Sequence, residues 1–192
     1  IFDEHIWPQL LEIEEAMGGP RVKIIEPRSM HHIVFVSTYG IGCGIATYTK
    51  MLAEELVSLG HRVSVLAEVS DEGSSRYEPY MDGDIRVYRC WDRKFEDWAM
   101  ARRILSDIKP DLLHVQHEWA IYGVGSLGLR GLVSAADCRR AITWHTPDFL
   151  TAGQHPGDAA VMSYDSVVDL HITHNKGKSR VMSQMLNNGV TH

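Results

Sequence analysis

Cysteine is scarce and scattered: Cys43, Cys90 and Cys138 are the only three in 192 residues. An odd, widely spaced set makes no disulfide framework and fits a reducing cytoplasm. No C-x-x-C pair occurs, which speaks against a cysteine zinc site. Also missing is any uncharged apolar run near the ~18 residues of a membrane span. Peripheral membrane contact stays compatible with such a chain. Positive charge is in short supply, with 19 Lys and Arg against 25 Asp and Glu and a net charge of −6. A broad phosphate-binding face for nucleic acid is therefore not expected. There is no internal repeat and no low-complexity tract. The first residue is Ile1 rather than Met. Native sequence upstream is therefore expected to be missing, and a targeting signal is left open.

What remains is ordinary for a globular chain, with 44% hydrophobic and 23% charged residues. The length suits one domain of roughly 150 residues with an appendage. Such a domain buries roughly 70% of its unfolded surface, so it needs neither disulfide nor metal to hold a core.

Residues 1–30 read as an N-terminal extension. Asp3 caps a short helix carrying Ile6, Leu10, Leu11 and Glu14, Gly18-Gly19-Pro20 breaks it, and Val22 to Ile25 form a short strand ended by Pro27. Residues 31–192 read as the main domain. His32 to Tyr39 is apolar and β-branched, as a buried parallel strand should be. Gly40 to Gly44 turn the chain, Ile45 to Leu59 form a helix, and Gly60 stops it. Strands follow at Arg62–Ala67 and Ile85–Cys90, separated by a polar, turn-rich stretch over residues 70–84. Then come a helix at Phe95–Ile108, a strand at Asp111–His117, a helix at Tyr122–Ala136 and a strand at Ala141–His145. A helix at Asp158–Ser166, a strand at Val168–Thr173 and a helix at Lys178–Leu186 complete the order. The alternation predicts an α/β, Rossmann-like, doubly wound parallel sheet of about six strands. Ligands of such sheets bind outside the carboxyl ends of the strands. That rule singles out Gly40 to Gly44, Glu68, His117-Glu118, His145-Thr146 and His174.

The loop Gly40-Ile41-Gly42-Cys43-Gly44 joins a strand to a helix. Glycines let a ligand approach the backbone, and the helix N-terminus offers free N–H groups to a phosphate. The dinucleotide fingerprint G-x-G-x-x-G needs a glycine where Ile45 stands, although Glu68 sits where its acidic partner belongs. His145 ends a strand, where an imidazole can donate to a phosphate or a sugar hydroxyl. His114 and His117 point to opposite faces of their strand, so they are poor co-ligands for one metal. His171 and His174 repeat that spacing and the same objection. Three patterns mislead. Asp82-Gly83-Asp84 resembles a metal-binding D-x-D but reads as turn chemistry. Val124 breaks a G-x-S-x-G elbow around Ser126. Glu4 and Glu12 are spaced E-x7-E, but in the extension.

Several segments in order resemble retaining glycosyltransferases of family 4, which have the two-domain GT-B fold. They are Val36 to Tyr39, Cys43 to Thr49, Gly60 to Val65, Asp111 to Glu118, and Ile142 to Thr146. The resemblance runs from about His32 to the C-terminus. It implies the N-terminal, acceptor-side domain of a hexosyltransferase. Gly42 and Gly44 then lie beside the donor diphosphate. His145 is the catalytic residue contacting the donor sugar or its phosphate. Tyr39, His117, Glu118 and Thr146 form the acceptor side. The family commonly has prolines or arginines where Gly40-Ile41-Gly42 stand here. The expected partners are a nucleotide-sugar donor, a sugar or polyol acceptor, and a second domain carrying the nucleotide floor, which this stretch of sequence does not contain. No cofactor or metal is expected, and the location is cytoplasmic. Two other readings stay open: a stand-alone acceptor-binding or docking module, and an NAD-dependent oxidoreductase domain.

Overall fold

The computed structural model describes residues 30–69, 78–122, 126–145, 156–186 and 190–191. The helix and strand expected before residue 30 lie outside them. The strands are β1 (His32–Ser37), β2 (Arg62–Glu68), β3 (Tyr80–Asp82), β4 (Ile85–Trp91), β5 (Leu112–His117), β6 (Arg139–Trp144), β7 (Leu170–Thr173) and β8 (Val190–Thr191). The helices are α1 (Gly44–Ser58), α2 (Ala99–Ile108), α3 (Trp119–Tyr122), α4 (Leu127–Ser134), α5 (Pro156–Asp165) and α6 (Lys176–Met185). The strands form one sheet in the order β3-β4-β2-β1-β5-β6-β7-β8, parallel except for β3 against β4. The expected Rossmann-like sheet is therefore present.

Side chains alternate between the two faces of each strand. Val34, Val36, Leu66, Leu113, Val115, Ile142 and Trp144 pack with Ala101 and Leu105 of α2, Leu129, Leu132 and Val133 of α4, and Tyr164 of α5. On the other face, Ile33, Phe35, Val63, Val65 and Val87 pack against Ala53, Leu52, Leu56 and Val57 of α1. Both faces are buried, which explains the near-continuous apolar runs read as parallel strands.

Several boundaries differ from expectation, each for a local reason. Helix α2 starts at Ala99, not Phe95. Glu96 has φ 47, which no right-handed helix accepts, and Asp97 Oδ1 takes the Ala99 N–H at 3.1 Å. The helix expected at Tyr122–Ala136 is instead α3 and, after it, α4. Ser126 caps α4 by accepting the Leu129 N–H at 3.2 Å. Lys176 rather than Lys178 opens α6, because Asn175 Oδ1 accepts the Gly177 N–H at 2.8 Å. Strand β3 was not foreseen. It folds back on β4 through the tight turn at Gly83, whose φ is 60. Asp82-Gly83-Asp84 is thus a hairpin turn. Asp82 also anchors that hairpin, accepting from Lys50 at 2.7 Å and from Tyr39 at 2.9 Å. Gly128 is needed for packing: a Cβ there would collide with the indole of Trp98, which stacks on Trp91.

Histidines are built into the sheet. His32 bonds Ser64 at 2.9 Å, His114 bonds Thr143 at 2.8 Å, and His171 Nδ1 accepts the Trp144 N–H at 3.1 Å. His117 is buried among rings. Burial lowers them all: His114 and His171 to about 4, and His117 to about 3 with a further push from His145. The unfolded chain therefore binds protons before the folded one does. Their stabilising contribution is complete above pH ~6.5 and is lost as the pH falls toward 4, at up to ~1.4 kcal/mol per pH unit for each group. The losses at these groups act in the same direction, so the folded state weakens progressively as the pH falls. Urea unfolding midpoints should be level above pH 7 and drop steeply below 6.5. A midpoint unchanged down to pH 4.5 would contradict this placement of the histidines.

Candidate functional site

Because the strands beside it are parallel, the turn after β1, Glu68, Glu118 and His145 all lie at one edge of the sheet. From β1 the chain winds outward to β2 and β4, then returns to start β5 on the other side of β1. The β1 and β5 loops therefore leave in opposite directions and open a crevice between them.

The three glycines of the β1–α1 loop differ in what they do. Gly40 has φ 64, and a Cβ there would stand 3.3 Å from Arg89 Nη2. That nitrogen donates to the Tyr39 carbonyl at 3.1 Å and to the Tyr80 hydroxyl at 3.2 Å. Gly40 is thus required by the fold. Gly42 and Gly44 are exposed, have no positive φ, and show open space where a Cβ would be. The fold does not need glycine at either position. What glycine preserves there is room against the N-terminus of α1, which no side chain caps. The local field favours an anion. Burial acts to raise the Cys43 thiol, yet the Ala46 amide, the Thr38 hydroxyl, the Ile45 amide and the Arg93 charge leave it below the usual thiol range.

His145 lies on the α1 side of the sheet edge. Its ring meets Tyr48, one turn into α1, edge-on at 5.0 Å, and His174 at 4.9 Å. Tyr48 also touches His174 at 5.3 Å. The His145 Nε2 bonds Gln116 Oε1 at 2.8 Å. Burial, with smaller effects from His174 and His114, lowers its pKa to about 3. At neutral pH it is an uncharged hydrogen-bonding group, not a counter-ion.

Two acceptor-side candidates are placed otherwise than expected. Tyr39 is 1% exposed, packed in the α1-side core with its hydroxyl on Asp82. It does not face the crevice, because its hydroxyl reaches Asp82 on the β3–β4 hairpin, on the far side of β1 from β5. His117 is 2% exposed and faces the opposite side of the sheet, ringed by Trp119, Tyr122, Trp144 and Tyr164. So buried, it presents almost no surface to a ligand. Glu118 is half-buried at the strand end, where its backbone carbonyl accepts the Ile121 and Tyr122 N–H groups of α3. Thr146 lies outside the described residues. Glu68, the acidic residue of the dinucleotide pattern, is held by Arg93 through both carboxylate oxygens, at 2.9 and 2.7 Å. A ribose there would compete with that guanidinium for the same carboxylate.

Tyr48, Gln116 and Arg93 belong to this edge and were not foreseen as site residues. Tyr48 lies four residues past Gly44, one helical turn along, so helical spacing was the available signal. Gln116 shares a strand face with His114 by alternation. Arg93 gave no signal, since its position depends on the turn after β4.

A family model described as glycosyl transferase 4-like domain matches residues 43–172. A solved structure of sucrose-phosphate synthase from Thermosynechococcus elongatus aligns with a TM-score of 0.58 at 14% identity, covering 84% of this chain and 86% of that one. At that identity the likeness is one of fold. No curated protein matches the chain.

The contrast among the glycines is measurable. Gly40→Ala should lose ~1–2 kcal/mol of stability, the usual cost of a left-handed residue with a Cβ. Gly42→Ala should be neutral or gain up to ~1 kcal/mol, because it only narrows the unfolded ensemble. Equal losses in urea unfolding at both positions would show that Gly42 too serves the fold.

Proposed function

Since the chain belongs to the glycosyl transferase 4-like domain family, we propose that it is the acceptor-side domain of a cytoplasmic, retaining hexosyltransferase. The donor is a nucleotide sugar and the acceptor a hydroxyl of a sugar or polyol. The single observation that carries this reading is the pairing of unneeded glycines with a helix end. Gly42 and Gly44 leave open space at the N-terminus of α1, and Tyr48 ties that helix to His145.

Transfer requires two things: stabilising the departing diphosphate, and holding the acceptor hydroxyl beside the anomeric carbon. The Gly42 and Gly44 N–H groups and the helix dipole serve the first, the Cys43 N–H being already bonded to the Ile41 carbonyl at 2.8 Å. His145, neutral and half-buried, serves to bind and orient the sugar. Arg93 stands at the same mouth with its charge paired to Glu68. The second wall, carrying the nucleotide, belongs to the other GT-B domain.

Residues 1–192 alone then give a donor only a few hydrogen bonds, each worth ~0.5–1.5 kcal/mol net, against the entropy of association. Calorimetry with UDP- and GDP-hexoses should find dissociation constants on the order of millimolar or weaker, and no turnover. In the two-domain enzyme, His145→Ala should lower kcat by ~10²-fold, the usual cost of one preorganised contact, with the unfolding midpoint nearly kept. Micromolar binding by residues 1–192, or wild-type kcat in the variant, would overturn the division of labour.

A further inference from the structure

A row of polar side chains runs through the sheet face that α1 covers. Alternation puts His114 and Gln116 of β5 there, and the paired register of β6 adds Thr143. His145 follows at the end of β6. Thr143 Oγ1 lies 2.8 Å from His114 Nε2, Gln116 Nε2 lies 3.3 Å from the same nitrogen, and Gln116 Oε1 lies 2.8 Å from His145 Nε2. Gln116 is fully buried.

A side-chain amide has one donating end and one accepting end, so its orientation decides which ring nitrogens carry protons. The NH2 end of Gln116 meets His114 Nε2, which must therefore be the bare, accepting nitrogen. Its single in-plane lone pair is then shared between the Gln116 amide and the Thr143 hydroxyl. The Gln116 oxygen meets His145 Nε2, which must then carry a proton. A neutral ring has only one, so His145 Nδ1 is left as a lone pair. Among the described residues no group hydrogen-bonds it.

We propose that Gln116 is a positioning residue: it holds His145 as the Nε2–H tautomer and leaves Nδ1 to accept a hydrogen bond from a substrate hydroxyl. The proposal rests on the placement of His145 at the donor and acceptor crevice, and it narrows what His145 takes. A bare nitrogen cannot share a proton with a phosphate oxygen, since both are acceptors. The diphosphate is left to the N–H groups of the glycine loop, and the sugar hydroxyl falls to His145. Thr143 and His114 meet the far end of the amide and bear on His145 only through Gln116.

The test is long-range proton–nitrogen correlation NMR on residues 1–192 with 15N-labelled histidine at pH 7.5. Wild-type His145 should show one state, with Nε2 protonated and Nδ1 bare. Gln116→Met keeps the volume and removes the amide, and should bring in a detectable population with Nδ1 protonated. His114→Phe removes the nitrogen at the far end of the amide and should do the same, a second route if the first variant folds poorly. Nδ1 protonated in the wild type, or an unchanged His145 spectrum in a folded variant, would overturn the proposal. The readout needs no transferase activity. If His145 plays no part in catalysis, His145→Ala keeps its kcat while the tautomer result stands, so the two failures are distinguishable.

Discussion

The reversal of winding between β1 and β5 is the constraint on which the rest of the molecule depends. A parallel strand pair needs a crossover, and each crossover covers the strand ends beneath it. Only where neighbouring strands send their chains in opposite directions does the edge stay open. In this sheet that gap is flanked by the uncapped end of α1 on one side and by α3 on the other. His145 reaches the gap from β6, leaning on Tyr48. Arg93 reaches it from the turn after β4, held by Glu68 and the Ala120 carbonyl at 3.2 Å. Every group with chemistry to offer arrives there because the strands beside the gap point the same way.

The two sheet faces divide their work. The face under α2, α4 and α5 is aromatic, with Trp91 and Trp98 stacked at 4.8 Å and His117 enclosed by four rings. It serves stability. The face under α1 carries the polar row from Thr143 to His145 and serves orientation. Histidines stand on both faces. Burial keeps His114, His117 and His145 neutral near pH 7, so they act as hydrogen-bonding rings rather than charges.

Much of the fold was legible because strand and helix periods are strong signals. The apolar run of β1, the glycine turn and the stop at Gly60 all occur where the sequence reading puts them. Strand β3 was hidden, because three residues in a polar stretch carry no period of their own. The start of α2 was hidden by a backbone angle at Glu96. At the site, strand-end logic correctly put Gly42, Gly44 and His145 on one edge. It failed at His117 because it says where a residue lies along a strand, not which face its side chain takes, and at Tyr39 because that side chain reaches sideways to Asp82 of the β3–β4 hairpin. Counting by twos from Leu113, which packs on the α2 side, would have turned His117 inward. The Gln116 contact was beyond sequence reasoning, since it depends on the register of β5 with β6.

The central claim is that this sheet edge receives a diphosphate at the end of α1. The most direct measurement is amide chemical-shift mapping of residues 1–192 titrated with inorganic pyrophosphate. The account predicts that shifts concentrate at Gly42 to Ala46. Shifts centred instead on the opposite edge, around Asp137 to Arg140 and Asp169, would contradict it.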